Sequence, residues 1–303
     1  MFMQVGMLVA PVKAEWGVGI VAGVDGDIAH VFFRNQTEKT AKRFRFASIK
    51  PADAPTDPWN DKPPRFIEKE GLYTRTKEFE STESARRRFV ERFPLGFKDP
   101  AYIDGKKTGE RAYKMAAVEL FATSLGDGKG EAMLAAGDVE QAAKLVKRVV
   151  AKVSSLLAKA EQAALNEGLS DTAAARKFLN AFFALAQPAS KETFEPYLTA
   201  LRALPSEETD CGTWTIATVL PSVAWPSSYM YVKPTNIKKA SERADTDIHY
   251  NVTPSWKTYA AVLKLADTCM TDLAELEPSD YIDVQSYFWV TGEAVSKSAA
   301  AKA

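Results

Sequence analysis

The sequence has few of the residues that most metal and nucleophile sites require. Its 303 residues include only two cysteines and two histidines, His30 and His249. Cys211 and Cys269 lie far apart, with no CxxC pair and no Cys/His cluster. We therefore expect no metal site, no disulfide and no cofactor. With only two histidines, the chain also offers few candidates for a Ser-His-Asp triad.

Long apolar runs and an excess of one charge are also missing. No stretch approaches the roughly 20 apolar residues that cross a bilayer. The N-terminal sequence MFMQVGMLVAPVKAEWG lacks the basic start and longer apolar stretch of a signal peptide. We therefore expect a soluble, cytoplasmic protein that does not bind membranes. Since 39 Lys and Arg balance 39 Asp and Glu, binding of nucleic acid would need a local basic face.

Residues 1–49 have the pattern of a small β-barrel. Short runs rich in Val, Ile and Phe alternate with turn sequences such as NQTEKT. Asp25 and Gly26 between two apolar runs predict a tight hairpin, because glycine tolerates the positive φ of such a turn. Residues 50–66 contain five prolines, so we predict an extended linker there.

The first unit resembles the Tudor/SH3-like domains of some helicases and transcription factors. The resemblance rests on the DGD turn, an aromatic third strand, a polar loop, and on Trp16, Gly17, Gly19 and Lys39. It implies docking on a protein partner or on nucleic acid. Lys42 and Arg43, beside Phe44 and Phe46, are candidate DNA-binding residues. The alternative is that the two phenylalanines belong to the core and the charges form a solvated edge.

From residue 67 to residue 295 the pattern is helical. Apolar residues recur with a period of 3.6, and 138–169 reads as one long helix. Residues 296–303 are expected to be a disordered tail. Together these segments predict an α+β protein, in which a small barrel is joined by a proline-rich linker to a mainly α-helical domain.

The segment LPSEETDCGTWTIATVL resembles the helix-hairpin-helix superfamily of base-excision DNA glycosylases. The matching residues are Gly212, Trp214, Thr215 and Ala217. The resemblance implies that the hairpin around Gly212 and the following helix N-terminus bind a phosphate of double-stranded DNA. A helix N-terminus can do so because its first N–H groups have no partner within the helix.

This sequence departs from the family in two ways. Only one glycine is present in the hairpin, and the family's catalytic aspartate would fall in KPTNIKK, where Thr235 and Asn236 stand. Lys233 is adjacent, and a lysine shielded from water by aromatic side chains can act as a nucleophile or bind phosphate. The catalytic candidates are therefore Lys233, Asn236 and Asp283.

Four aromatic residues and one amide are the candidates for holding a flipped base. They are Trp214, Trp225, Tyr229, Tyr231 and Gln285. Burying Asp283 or Gln285 would cost several kcal/mol without partners, which favours a site. The alternative is that Asp280 and Asp283 cap the last helix while Gln285 is exposed.

Basic residues flank the aromatic segment. Lys238, Lys239 and Arg243 are candidate DNA ligands, since they share one helix with Lys233 nearby. Further upstream, Arg111 and Lys114 could contact phosphates, or could form a solvated face with Glu110 as a capping partner.

These patterns predict a DNA-binding protein of the glycosylase type. It would flip a modified or damaged base out of the duplex and cleave its N-glycosidic bond by hydrolysis. A defence against phage DNA with modified bases would suit the unusual catalytic segment. The alternative function is a non-enzymatic adaptor, associated with DNA or RNA polymerase through the Tudor-like domain. The missing aspartate favours this alternative.

Overall fold

The computed structural model divides the chain into Met1–Phe79 and Glu80–Ala303, called the N-terminal and helical units below. It describes residues 3–292, except 14–15, 34–35, 37, 39, 56–58, 60–62, 76–81, 107 and 208. Lys39 and the predicted tail 296–303 lie outside this range. The described N-terminal unit is mainly an antiparallel sheet and the helical unit is α-helical, so the α+β class is confirmed.

The N-terminal unit contains a five-stranded and a two-stranded antiparallel sheet. The first has the strand order β4-β3-β2-β1-β5, and the second pairs β6 with β7. The strands are β1 (Leu8–Pro11), β2 (Gly19–Asp25), β3 (Ile28–Phe33), β4 (Lys42–Arg45), β5 (Ile49–Pro51), β6 (Phe66–Lys69) and β7 (Leu72–Arg75). The hairpin predicted at Asp25 and Gly26 joins β2 to β3, and Gly26 has a φ of 58°.

Both faces of the five-stranded sheet are covered. Val21, Val31 and Phe33 point into one apolar cluster, against which Phe44 and Phe46 also pack. The intervening residues, Ile20, Ala22 and Phe32, point into a second cluster. This alternation follows from the two-residue period of a strand. The two phenylalanines are thus partly buried against the sheet, as the alternative interpretation expected.

The prediction of an extended linker over 50–66 needs correction, because parts of this segment pack within the N-terminal unit. Trp59 is buried in the second apolar cluster, where Phe66 and Tyr73 pack beside it. Gly23 lies so close to Tyr73 that an added Cβ would be 2.1 Å from the ring. The boundary therefore follows Phe79, and not residue 66. Proline content predicted an extended chain but could not predict what that chain packs against.

Twelve α-helices lie in the described part of the helical unit. They are α1 (Thr82–Arg92), α2 (Pro100–Asp104), α3 (Ala112–Ser124), α4 (Lys129–Ala136), α5 (Val139–Lys152), α6 (Lys159–Gly168), α7 (Thr172–Phe183), α8 (Lys191–Arg202), α9 (Trp214–Ala224), α10 (Pro234–Arg243), α11 (Trp256–Asp272) and α12 (Tyr281–Gly292). One apolar core joins them.

The single long helix predicted over 138–169 is wrong, because α5 and α6 are separated by the 3₁₀ turn Ser154–Leu156. The side chain of Gln162 donates hydrogen bonds to the carbonyls of Ser154 and Leu157, and Glu161 accepts one from the N–H of Ala158. These bonds satisfy the backbone groups that the break leaves free. The break also brings the turn Ser154–Leu156 into the candidate site.

Helices α9 and α12 lie in the core. In α12 the residues from Ile282 to Phe288 are all buried. A helix buried on every side must satisfy its polar side chains internally, because no face reaches water. Three polar residues of α12, Asp283, Gln285 and Ser286, are therefore expected to have partners on neighbouring elements.

Candidate functional site

The partner of the two aspartates at the start of α12 is Arg111. Its guanidinium donates two hydrogen bonds to Asp280, at 3.0 and 2.8 Å, and one to Asp283, at 2.6 Å. Burial lowers the pKa of Arg111, but bonding to the two aspartates outweighs burial and raises that pKa above its ordinary value. Arg111 is thus a permanent cation that holds α3 to α12.

Asp283 is fully enclosed. It accepts hydrogen bonds from Tyr102 Oη at 2.5 Å and from the N–H of Ser279 at 2.7 Å, besides the bond from Arg111. Burial and the neighbouring Asp283 raise the pKa of Tyr102 well above its ordinary value, so the phenol keeps its proton. Asp280 also caps α12, because it accepts from the N–H of Ile282 at 2.9 Å.

Lys114 lies one turn further along α3 and is also buried. Its ammonium donates to Gln285 Oε1 at 2.7 Å, to Ser286 Oγ at 2.8 Å and to Glu110 at 3.3 Å. Burial lowers the pKa of Lys114 to about 8, even though the charge of Glu110 opposes this shift. The prediction of a solvated Arg111–Lys114 face is therefore wrong, since both side chains point towards α12.

A cavity of about 320 Å³ opens beside this network. Three aromatic rings, one aliphatic side chain and five polar side chains line it. They are Tyr113, Tyr231, Trp289, Leu156, Glu110, Ser155, Lys233, Asn236 and Gln285. Cavities that bind small ligands commonly have apolar walls and a few fixed polar groups.

Some of the side chains that line the cavity are constrained by their surroundings. Tyr231 Oη donates a hydrogen bond to the carbonyl of Leu156, so the 3₁₀ turn and the segment before α10 are tied together. Burial raises the pKa of both Tyr231 and Tyr113, so both remain neutral phenols near pH 7. Trp289 is 41% exposed, unlike the other residues of the second half of α12, and can contact a ligand at the opening.

Asn236 has an unsatisfied group. The residue is only 7% exposed, and its amide nitrogen Nδ2 is buried with no hydrogen-bond partner among the described residues. An unpaired buried donor costs about 1–3 kcal/mol. Asn236 lines the cavity, but this nitrogen is closed off from solvent, so a ligand acceptor pairs with it only when the side chain turns towards the cavity.

Four of the sequence-predicted site residues meet at this cavity: Tyr231, Lys233, Asn236 and Gln285. Gln285 is buried, so the alternative in which it is exposed is wrong. Asp283 lies behind the cavity and does not line it. Its carboxylate is already bonded to Arg111 and Tyr102, so the structure does not support a catalytic role.

The other predicted aromatic residues do not form a base pocket. Trp214 and Tyr229 are buried, and they donate hydrogen bonds to the carbonyls of Asn251 and Ala186. Trp225 lines a second cavity, of about 420 Å³, which shares no lining residue with the first. Trp214 lies at the start of α9, whereas Trp225 and Tyr229 follow its end, so these side chains face different neighbours.

The start of α9 does not offer a free phosphate site. Gly212 is buried and donates its N–H to Asp210 at 2.6 Å. The carboxylate of Glu161 accepts hydrogen bonds from the hydroxyls of Thr213 and Thr215, at the first turn of α9. Since a carboxylate of the same chain already occupies this helix start, a DNA phosphate would have to displace it.

Two of the predicted DNA ligands have structural partners. Lys239 donates to the carbonyl of Gly292, and Arg243 donates to the carbonyl and hydroxyl of Thr291. Cations at a helix C-terminus stabilise its last carbonyls, so these residues hold the end of α12. Lys238 is exposed and lies 4.6 Å from the ring centroid of Tyr250, so it stays a candidate.

The predicted DNA ligands of the N-terminal unit lie on β4. Lys42 pairs with Glu38 at 3.6 Å and lies 4.9 Å from the ring centroid of Trp16. Arg43 is exposed. The indole of Trp16 is 44% exposed, with its edges against Phe33 and Phe44.

Comparisons with known proteins add no assignment: no protein-family model, curated protein or solved structure matches this chain. Within the described residues there is no group of three or more Asp, Glu, His and Cys side chains placed to hold a metal ion. None of the helices in the described ranges is both long and apolar enough to cross a bilayer.

The buried ammonium predicts a pH-dependent stability. Lys114 has a lower pKa folded, about 8, than unfolded, 10.5. The unfolded chain therefore binds more protons between these two pH values, and the contribution of Lys114 to the free energy of unfolding rises with pH across that window. We expect the wild type to gain stability relative to Lys114→Met from about pH 8 to pH 10.5, measured by urea unfolding.

An exposed lysine provides the control for this measurement. Lys144 lies on α5 and is exposed, so Lys144→Met should follow the wild type at every pH. A constant difference between wild type and Lys114→Met across the window would contradict the assignment.

Proposed function

We propose that the helical unit binds a base flipped out of double-stranded DNA in the 320 Å³ cavity and cleaves its N-glycosidic bond. The observation that carries this proposal is the lining of the cavity, in which three aromatic rings surround polar groups. Flipped bases are held in this way, by stacking on rings and by hydrogen bonds to the base edge. The volume is at the small end of the range for ligand cavities, roughly 300–1,000 Å³.

The position of the charges supports DNA as the ligand. Lys233 lines the cavity, and Lys238 is exposed one turn along α10. A lysine at the opening can contact the phosphate of the flipped nucleotide, and a second can contact a neighbouring phosphate. The chain has no net charge, so this local pair has to supply the attraction.

Glu110 replaces Asp283 as the proposed catalytic carboxylate. Among the described residues that line the cavity, Glu110 is the one carboxylate. In the reaction, water adds to C1′ of the sugar while the C1′–N bond breaks, and the base leaves with the bonding electrons and takes up a proton. A carboxylate stabilises the positive charge that develops on the sugar and accepts a proton from the attacking water.

The proposed reaction produces abasic sites, which alkali converts into strand breaks. We expect the full-length protein to yield alkali-labile breaks in DNA with modified bases, including modified phage genomes, and none in unmodified DNA. The breaks should depend on time and on protein concentration. If no modified substrate yields breaks above the no-protein control, the enzymatic proposal fails.

A non-enzymatic adaptor remains the second candidate, and a specific observation favours it. The carboxylates of the site are all ion-paired: Asp280 and Asp283 with Arg111, and Glu110 with Lys114. The half-exposed Trp16 beside Lys42 could take part in the docking surface of a Tudor-like N-terminal unit. Tight binding of base-modified DNA without abasic sites would favour this candidate.

A further inference from the structure

The amide group of Gln285 is fixed in orientation by a charged neighbour. Lys114 is an ammonium, which has three donors and no acceptor. The atom of Gln285 that lies 2.7 Å from it is therefore the carbonyl oxygen Oε1. Since this oxygen faces the buried lysine, the NH₂ group is the half of the Gln285 amide that is left for a ligand.

Asn236 presents the same group. Its oxygen Oδ1 lies 3.4 Å from the hydroxyl of Thr235, whereas its nitrogen Nδ2 has no partner among the described residues. Lys233, also at the cavity, adds a side chain whose ammonium only donates. Gln285 and Lys233 therefore offer N–H donors to whatever occupies the cavity, and Asn236 adds a third when its side chain turns towards the ligand.

We infer that the cavity selects a base that presents ring carbonyl oxygens, as a uracil-type pyrimidine does at positions 2 and 4. This inference rests on the proposed function and names its substrate class. A cytosine-type base carries an amino group at position 4, which would set donor against donor at one of the two amides. Such a mismatch leaves two buried donors unpaired, which binding sites reject strongly.

The matched probes are two duplexes that differ only at positions 3 and 4 of one base, where uracil has N–H and C=O and cytosine has an unprotonated nitrogen and an amino group. One carries 5-hydroxymethyluracil and the other 5-hydroxymethylcytosine, each opposite an abasic analogue so that pairing strength does not contribute. We expect the full-length protein to bind the uracil-type probe about tenfold or more tightly, by fluorescence anisotropy at one salt concentration. Equal affinity, or a preference for the cytosine-type probe, would overturn the inference.

Exchanging the donor should abolish the preference. In Gln285→Glu the side chain still accepts from Lys114, but its second oxygen accepts instead of donating. We expect the ratio of the two affinities to fall about tenfold or more, in favour of the cytosine-type probe. Asn236→Asp makes the same exchange at the other amide and provides the test if the first variant does not fold.

The outcomes separate this inference from the proposed function. Binding or excision of both bases without preference overturns the inference and leaves the function standing. Binding of neither probe above unmodified DNA overturns the inference, and the proposed function falls with it only if no other modified substrate yields abasic sites. A preference for the uracil-type probe that neither folded variant changes also overturns the inference, since the selectivity then arises elsewhere.

Discussion

Replacing Arg111 by alanine is expected to lower the free energy of unfolding of the helical unit by about 3–5 kcal/mol. The guanidinium makes three hydrogen bonds to Asp280 and Asp283, whose side chains are 9% and 1% exposed. Without Arg111 two carboxylates stay buried with no cation between them. They must then take up protons or draw water into the core, and both cost free energy.

The control is an ion pair of the same type at the surface. Arg86 pairs with Glu275, whose side chain is 81% exposed. Exposed pairs contribute about 0–1 kcal/mol, so Arg86→Ala should unfold at nearly the same urea concentration as the wild type. Circular dichroism during urea titration measures both variants. If the Arg111 variant also lies within about 1 kcal/mol of the wild type, the network does not stabilise the fold as described.

Local signals predict part of this fold, although β6 and β7 lie where a helical pattern is expected from residue 67. The hairpin between β2 and β3 follows from Asp25 and Gly26, because a two-residue turn restricts which residues it accepts. The last helix was also predicted, from the spacing of its apolar residues. Both features depend on residues that are close in sequence, so a single sequence contains the necessary information.

Two errors in the fold have a common cause. The prolines of 50–66 indicate an extended chain, but the burial of Trp59 depends on β2, β3 and the later strands. The apolar period over 138–169 continues through Ser154–Leu156, where hydrogen bonds from Gln162 stabilise a break. In both cases the outcome depends on tertiary contacts that local propensity does not contain.

The candidate site shows more clearly that local sequence patterns do not predict tertiary partners. The cost of burying Asp283 and Gln285 correctly indicated that these residues need partners. Their partners, Arg111 and Lys114, lie 171 or 172 residues away in the sequence. The one sequence signal that could have paired these residues is the presence of opposite charges in two separate amphipathic segments. The aromatic residues from Trp214 to Tyr231 misled because nearness in sequence does not place side chains in one pocket when a helix and its exit loop separate them.

Replacing Glu110 by glutamine is expected to reduce base excision at least about 100-fold while binding of modified DNA changes little. Glutamine keeps the shape of the side chain and can still accept from Lys114, so the cavity should persist. It removes the negative charge that would stabilise the developing positive charge on the sugar. Single-turnover cleavage measures the chemical step, and anisotropy with the same duplex measures binding.

Two further readouts separate a catalytic effect of Glu110 from a structural one. Because the charge of Glu110 raises the pKa of Lys114 against the effect of burial, Glu110→Gln should extend the pH window of the lysine-dependent stability to lower pH, while its upper limit stays at the pKa of the unfolded chain. Glu119→Gln removes an exposed carboxylate from α3, the helix that follows Glu110, and should leave both cleavage and the window unchanged. A variant at 110 that changes the window but cleaves normally would show that Glu110 affects the pKa of Lys114 without acting on the substrate. Cleavage of the N-glycosidic bond would then have to depend on Lys233 or on a group of the DNA.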